Sequence, residues 1–126
     1  MQELSHQSNR DAHSEHAIDG ARALSHVCGD LDLFARLVAV FLRTGPSDIA
    51  SLAAAMRSDR SEEACMLAHR IAGSASTMGA RTTERLARLI ELELVHGQTQ
   101  DAQIAMGELQ TALARDLRAL QALTFP

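Results

Sequence analysis

The chain contains almost no aromatic residues: tryptophan and tyrosine are absent, and there are three phenylalanines. Nucleic-acid surfaces usually combine a basic stripe with aromatic side chains on which bases stack. This chain offers neither, since its formal net charge is −4. The two absences argue against nucleic-acid binding, and the charge also argues against general attraction to an anionic membrane.

Cysteine is scarce as well, with two residues in the chain. Cys28 and Cys65 show neither metal-ligand nor redox-motif spacing, which favours a reducing compartment, so we expect the cytoplasm. No metal site is predicted. No stretch is seen to approach the ~20 apolar residues of a membrane span, and the N-terminus lacks the charged-then-apolar pattern of a signal peptide.

The remaining composition favours helices packed around an aliphatic core. The 126 residues suit one domain, and the core must be built from Leu, Ile, Val, Met and Ala. Residues 1–16 are polar without an apolar period, and we expect a disordered lead or a linker there. The domain is therefore predicted to span residues 17–126.

Apolar periodicity predicts one short helix and four longer amphipathic segments. The short helix covers residues 18–27. Asp30 is a plausible N-cap for the first long segment, which is expected to bend at Gly45-Pro46 and continue to about residue 56. The other segments are expected at 61–79, from Thr82 or Thr83 to about 97, and 100–123. Leu89 and Leu123 are among the residues expected to face inward. The pattern predicts an all-α fold, an antiparallel four-helix bundle with a short extra N-terminal helix.

One histidine in the second long segment is predicted to face outward. Leu67, Ile71, Ser74 and Met78 form the inward side, whereas His69 lies opposite, and the helical period gives it Ala72, Gly73 and Ser76 as neighbours on the same face. Glycine inside a helix costs about 1 kcal/mol relative to alanine. Steric clearance beside His69 would explain that cost, although a surface histidine without any role is also common.

The run from Ala68 to Ala80 resembles the signature of histidine-containing phosphotransfer (HPt) domains of two-component phosphorelays. His69 matches the phosphoacceptor, Gly73 the glycine of the motif, and Gly79-Ala80 its closing pair. Ala72 departs from the pattern, because many family members carry lysine there. The resemblance extends from about Ile18 to Leu123.

The resemblance implies roles for the residues around His69. An acidic or amide side chain on the next helix orients the imidazole in the family, and the matching residue is Glu91. Arg70, Ala72, Gly73 and Ser76 would form the face that docks a receiver domain. Arg70, Arg81 and Arg88 are candidate cations for the phosphoryl group, and none of them clearly replaces the missing lysine.

By resemblance, the chain is predicted to be a monomeric phosphoryl carrier that exchanges the group with aspartates of receiver domains, in a response regulator or a hybrid histidine kinase. It would form the HPt module of a hybrid sensor kinase, at the cytoplasmic end of a membrane sensor for instance, or a stand-alone protein. No phosphate-binding loop or Mg²⁺-binding acid pair is seen, so no cofactor is expected beyond Mg²⁺ on the receiver.

Three alternatives stay open. The first is a degenerate HPt-like bundle that binds or inhibits other proteins, which Ala72 favours. The second is a kinase dimerisation helix, although Arg70 and the chain length speak against it. The third is a scaffold bundle without any phosphorelay role.

Overall fold

The computed structural model describes residues 18–123 and contains five helices within that range. They are α1 (Gly20–His26), α2 (Leu31–Arg57), α3 (Ser61–Thr77), α4 (Arg81–Val95) and α5 (Thr99–Gln121). Helices α2 to α5 form the bundle: each packs on the next, and α5 returns to α2. The predicted fold class is confirmed. The lead predicted for residues 1–16 lies outside the described residues.

Helix α2 passes without interruption through Gly45-Pro46, where the sequence predicts a bend. The Asp30 carboxylate caps its N-terminus by accepting a 3.1 Å hydrogen bond from the backbone N–H of Leu33, as predicted. Pro46 then lies inside one continuous helix. A Cβ atom on Gly45 would stand 3.6 Å from Leu117 of α5, in ordinary van der Waals contact.

The expectation that no stretch approaches the length and apolar character of a membrane span is wrong for α2. By length and composition alone, Leu31–Arg57 is long and apolar enough to cross a membrane. In this fold, however, one side of α2 lies in the bundle core, through Phe34, Val38, Phe41, Leu52 and Ala55. The core helix of a soluble protein can be equally long and apolar.

The core is aliphatic and rich in alanine, as the composition predicts. The larger of its two apolar clusters joins all four long helices; it includes Leu52, Leu67, Ile71, Ala72, Leu86, Ile90, Met106 and Leu109. The second cluster lies where α1 meets the bundle and includes Ala23, Phe34, Phe41, Met78, Leu113 and Leu120. Small alanine side chains let neighbouring helices approach closely, which compensates for the shortage of aromatic volume.

Several predicted boundaries and inward positions differ from the structure. Ser61 is the first residue of α3 rather than its N-cap, α3 ends at Thr77 rather than Gly79, and α4 begins at Arg81. Leu89 is 40% exposed because the buried stripe of α4 runs through Leu86, Ala87, Ile90 and Leu94 instead. Leu123 is 43% exposed because α5 ends two residues before it.

One buried hydrogen bond joins α4 and α5, and one buried carboxylate oxygen on α4 has no partner among the described residues. The Thr83 hydroxyl donates a 2.6 Å hydrogen bond to the Asp116 carboxylate, and both residues are buried. Glu93, which interrupts the apolar pattern of α4, has one buried carboxylate oxygen without a hydrogen-bond partner. Burial raises the pKa of Glu93, and the nearby carboxylates of Asp101 and Glu108 raise it further.

Helix α1 is attached to the turn between α3 and α4. The backbone N–H of Asp19 donates a 2.9 Å hydrogen bond to the carbonyl of Gly79, and Ile18 and Ala80 form an isolated antiparallel bridge. Gly79 has a φ of +70°, and a Cβ atom there would collide with the backbone of Asp19. The Gly79-Ala80 pair of the sequence motif is therefore the site where the N-terminal segment docks.

Candidate functional site

His69 projects from the outer side of α3. Its side chain is 70% exposed, whereas Ala68 and Ala72 on the core side of the same helix are fully buried. The packing of α3 against α2 and α4 fixes the helix, so the position of the imidazole is set although the ring itself is in solvent. The outward orientation predicted for His69 is observed.

Glu91 of α4 contacts one nitrogen of this ring. The two Glu91 carboxylate oxygens lie 3.3 Å and 3.2 Å from Nδ1 of His69. No hydrogen bond from any described residue reaches Nε2. A carboxylate at Nδ1 favours the tautomer with its proton on that nitrogen and leaves the Nε2 lone pair available to a second molecule.

Cys65 helps to fix the register between the two helices. Cys65 lies on α3, one helical turn before His69, and its Sγ atom is 3.9 Å from the backbone carbonyl oxygen of Glu91 on α4. Burial raises the pKa of the Cys65 thiol, and the carboxylates of Glu91 and Glu62 add to the effect. The thiol is therefore protonated at neutral pH and donates to that carbonyl.

The surface beside His69 is only partly the one that helical spacing predicts. Gly73 is exposed, and a Cβ atom there would meet nothing within 4 Å. Ser76 is half-buried. The placement of Ala72 on this exposed face is wrong, because its side chain is fully buried in the larger core cluster. Three residues correspond to about 300° around a helix, so Ala72 is rotated about 60° from His69 and packs inward.

Arg70 extends towards α2 rather than towards the imidazole. Its guanidinium forms a 2.8 Å ion pair with Asp48, whose side chain is 14% exposed. Consecutive helix positions differ by about 100°, which carries Arg70 to the α2 side of α3. Arg70 thus links α3 to α2 at the level of the site.

A group of charged side chains lies on α4 on the N-terminal side of Glu91, beginning one turn before it at Arg88. Arg88 donates hydrogen bonds from Nε and a terminal guanidinium nitrogen to one oxygen of Glu84, at 3.1 Å and 2.9 Å. These two residues line a surface groove of about 380 Å³, which we call the arginine groove; its lining is Arg22, Arg81, Thr82, Glu84, Arg85 and Arg88. Sequence reasoning missed this groove because Arg22 comes from α1, although the spacing of positions 81, 85 and 88 already indicates one face of a helix.

Among residues 18–123, no group of three or more His, Cys, Asp or Glu side chains is arranged to hold a metal ion. An exposed imidazole with one nitrogen bound to a carboxylate and the other open has the geometry of a nucleophile. The fold and the site together define a helical bundle that presents an exposed histidine paired with a carboxylate.

The comparison with protein families agrees with this class. The model of the Hpt domain matches residues 36–123, and the chain belongs to this family of phosphotransfer modules of two-component signalling. The HPt domain of an Hpt sensor hybrid histidine kinase from Shewanella has a similar structure, with a TM-score of 0.75 at 19% identity. The match covers 85% of this chain and 92% of that domain. No curated protein shows a significant match.

Proposed function

We propose that His69 carries a phosphoryl group at Nε2 and exchanges it with the phosphoacceptor aspartate of a receiver domain. The observation that carries the proposal is the pair of contacts between Nδ1 and the Glu91 carboxylate, with Nε2 left open. Membership of the Hpt family supports the reaction class. The exposure of His69 and the open space at Gly73 support access by another protein.

The transfer step needs no base on this domain. The Nε2 lone pair attacks the phosphorus of the aspartyl phosphate, an N–P bond forms, and the P–O bond to the aspartate carboxylate breaks with its electron pair on that carboxylate. The proton on Nδ1 stays in place, so the ring becomes cationic. The Glu91 carboxylate stabilises this cation through the same contact that orients the neutral ring.

Arg88 is the cation that we assign to the phosphoryl group in place of the family's lysine. Position 72 is buried, and the Arg70 guanidinium is bound to Asp48. Arg88 stands three residues before Glu91, one turn away on the same helix, and half of its side chain is exposed. In the proposed phospho-form its guanidinium moves from Glu84 towards the phosphoryl oxygens.

The partner in this proposal is a receiver domain of a response regulator or of a hybrid histidine kinase. Mg²⁺ held by the carboxylates of the receiver supplies electrophilic help at the phosphoryl group. The module belongs to a hybrid sensor kinase or acts as a separate monomeric carrier in the cytoplasm. The free thiols of Cys28 and Cys65 fit a reducing compartment.

The test is transfer of labelled phosphate from a phosphorylated receiver to the purified domain. We expect His69→Gln to abolish labelling and leave the circular-dichroism spectrum unchanged, because the side chain is 70% exposed and its polar contact is with the Glu91 side chain. His96→Gln, at the exposed histidine that follows the last residue of α4, is the matched control and should label normally. Acid-labile phosphate retained by His69→Gln would refute the assignment.

The positioning role of Glu91 has a separate readout. Glu91→Gln should slow transfer at least about tenfold, because the ring loses its fixed orientation and the charge that stabilises its cation. Nitrogen-15 NMR of the imidazole should show a smaller share of the Nδ1–H tautomer. Slower transfer with an unchanged tautomer ratio would mean that Glu91 acts on docking rather than on the ring.

A second candidate is a degenerate HPt-like bundle that binds a partner without carrying phosphate. Ala72, buried where many family members carry lysine, is the observation that favours it. In the same assay this adaptor would bind the unphosphorylated receiver and remain unlabelled. Labelling of the wild-type domain at His69 would exclude it.

A further inference from the structure

The arginine groove concentrates positive charge on an otherwise acidic chain. Four of its six lining residues are arginines and one is a carboxylate, Glu84, whereas the whole chain has a formal net charge of −4. Arg88 is paired with that carboxylate. No ion pair within residues 18–123 involves the guanidinium groups of Arg22 or Arg81.

The position of these charges is unfavourable for the isolated domain. Arg81 is the first residue of α4, and its N-cap, Ala80, has no side chain that could accept a hydrogen bond from the helix. The N-terminus of a helix carries a partial positive charge, so acidic rather than basic residues stabilise it. Glu84 is the acidic residue in the first turn of α4, and an anion placed in the groove would add to its effect on the helix charge and on the positive charges of Arg22 and Arg81.

The groove lies within reach of a protein docked over His69. Arg81 precedes Glu91 by ten positions, which corresponds to about 15 Å along the helix axis. An interface of standard size covers about 800 Å² on each partner, equivalent to a disc of about 16 Å radius. A partner centred on His69 therefore reaches along α4 to the level of Arg81, and Arg88, one turn from Glu91, is the groove residue nearest to Glu91 along α4.

Resting on the function proposed above, we propose that the arginine groove binds acidic side chains on the receiver domain and thereby selects the receiver. An acidic patch at the edge of the receiver's docking face is the chemistry that complements this groove, because four of its six lining residues are arginines. Charges at the edge of an interface act chiefly on association rate and partner choice. The groove thus supplies recognition, while His69 and Glu91 supply the chemistry.

The experiment compares two double variants that have the same net charge. Arg22→Gln with Arg81→Gln removes the two groove arginines that form no ion pair with another residue of the described range 18–123. Arg57→Gln with Arg118→Gln removes two exposed arginines outside the groove, in the last turns of α2 and α5. Each variant is titrated with a phosphorylated receiver at about 50 mM and about 300 mM salt, and thermal unfolding confirms that it is folded.

We expect the groove variant to lose about fivefold in kcat/KM for transfer at low salt, with most of the loss in KM, and to approach wild type at high salt. The control variant should stay within about twofold of wild type. Phosphoramidate, a small donor that needs no docking surface, should label His69 equally in every variant.

The outcomes separate this inference from the proposed function. If phosphoramidate labels all variants and the groove variant accepts phosphate from the receiver as fast as wild type, the groove does not recognise the receiver. If the groove variant loses only the binding of inorganic phosphate, measured by NMR titration, the groove is a small-anion site and the proposal is overturned. If neither donor labels wild type, the proposed function itself fails.

Discussion

Gly73 allows the clearance beside His69 to be tested apart from its effect on helix stability. It lies inside α3, four residues after His69, so the two Cβ positions would be about 5–6 Å apart. A Cβ atom at Gly73 would meet nothing within 4 Å. Gly73→Gln should therefore raise helix propensity without a clash, by about 0.5–1 kcal/mol, and raise Tm by about 3 °C.

The same substitution should obstruct the receiver. The glutamine side chain would fill the open surface beside the imidazole, and we expect transfer from the receiver to fall at least about tenfold, because small displacements of reacting groups are costly. Labelling by phosphoramidate should change little, since this small donor needs less space.

Gly107 provides a matched control on α5. It is also an exposed glycine inside a helix, and a Cβ atom there would likewise meet nothing within 4 Å. Gly107→Gln should give a similar gain in Tm with normal transfer. Transfer that is unchanged in Gly73→Gln, with Tm raised in both variants, would show that the open surface at Gly73 has no part in docking.

Three further predictions concern stability. Glu93→Gln should raise Tm at pH 7: because the folded state raises the pKa of Glu93 above its ordinary value of 4.5, its ionisation destabilises the fold as the pH rises above that value. The advantage should fade towards about pH 4, and an equal gain at both pH values would contradict this explanation. Thr83→Val should cost about 1–3 kcal/mol in urea unfolding, since the buried Asp116 carboxylate loses a hydrogen-bond donor; no loss would mean that this bond contributes nothing net. Gly79→Ala should cost about 1–3 kcal/mol, because alanine is strained at positive φ and its Cβ would strike the backbone of Asp19; wild-type stability would show that the turn relaxes without penalty.

The spacing of apolar residues along the sequence is sufficient to predict the helical bundle and the outward orientation of His69. Amphipathic segments determine which side of each helix is buried, and short connections make consecutive helices antiparallel neighbours. The spacing alone does not predict the contact between His69 and Glu91, because this contact depends on the register between α3 and α4. The resemblance to the HPt family indicates Glu91 as the partner.

The errors have physical causes of the same kind. The prediction for Ala72 is wrong because a three-residue step along a helix is not equivalent to a four-residue step, and the difference of about 100° carries the side chain into the core. The arginine groove escaped sequence reasoning because α1 and α4 contribute to it together. Arg70 contacts Asp48 across a helix interface that no local pattern reveals.

The arginine groove is complete only while α1 stays attached to the bundle, because Arg22 of α1 lines it. A seven-residue helix is too short to be stable alone, and α1 is held by the bridge between Ile18 and Ala80, the hydrogen bond to Gly79 and its own buried Ala23. If this segment detaches while the four long helices stay folded, Arg22 leaves the groove with it. Amide hydrogen exchange in α1 would then report the fraction of molecules that present a complete groove, and that equilibrium would scale the affinity of any ligand that requires Arg22.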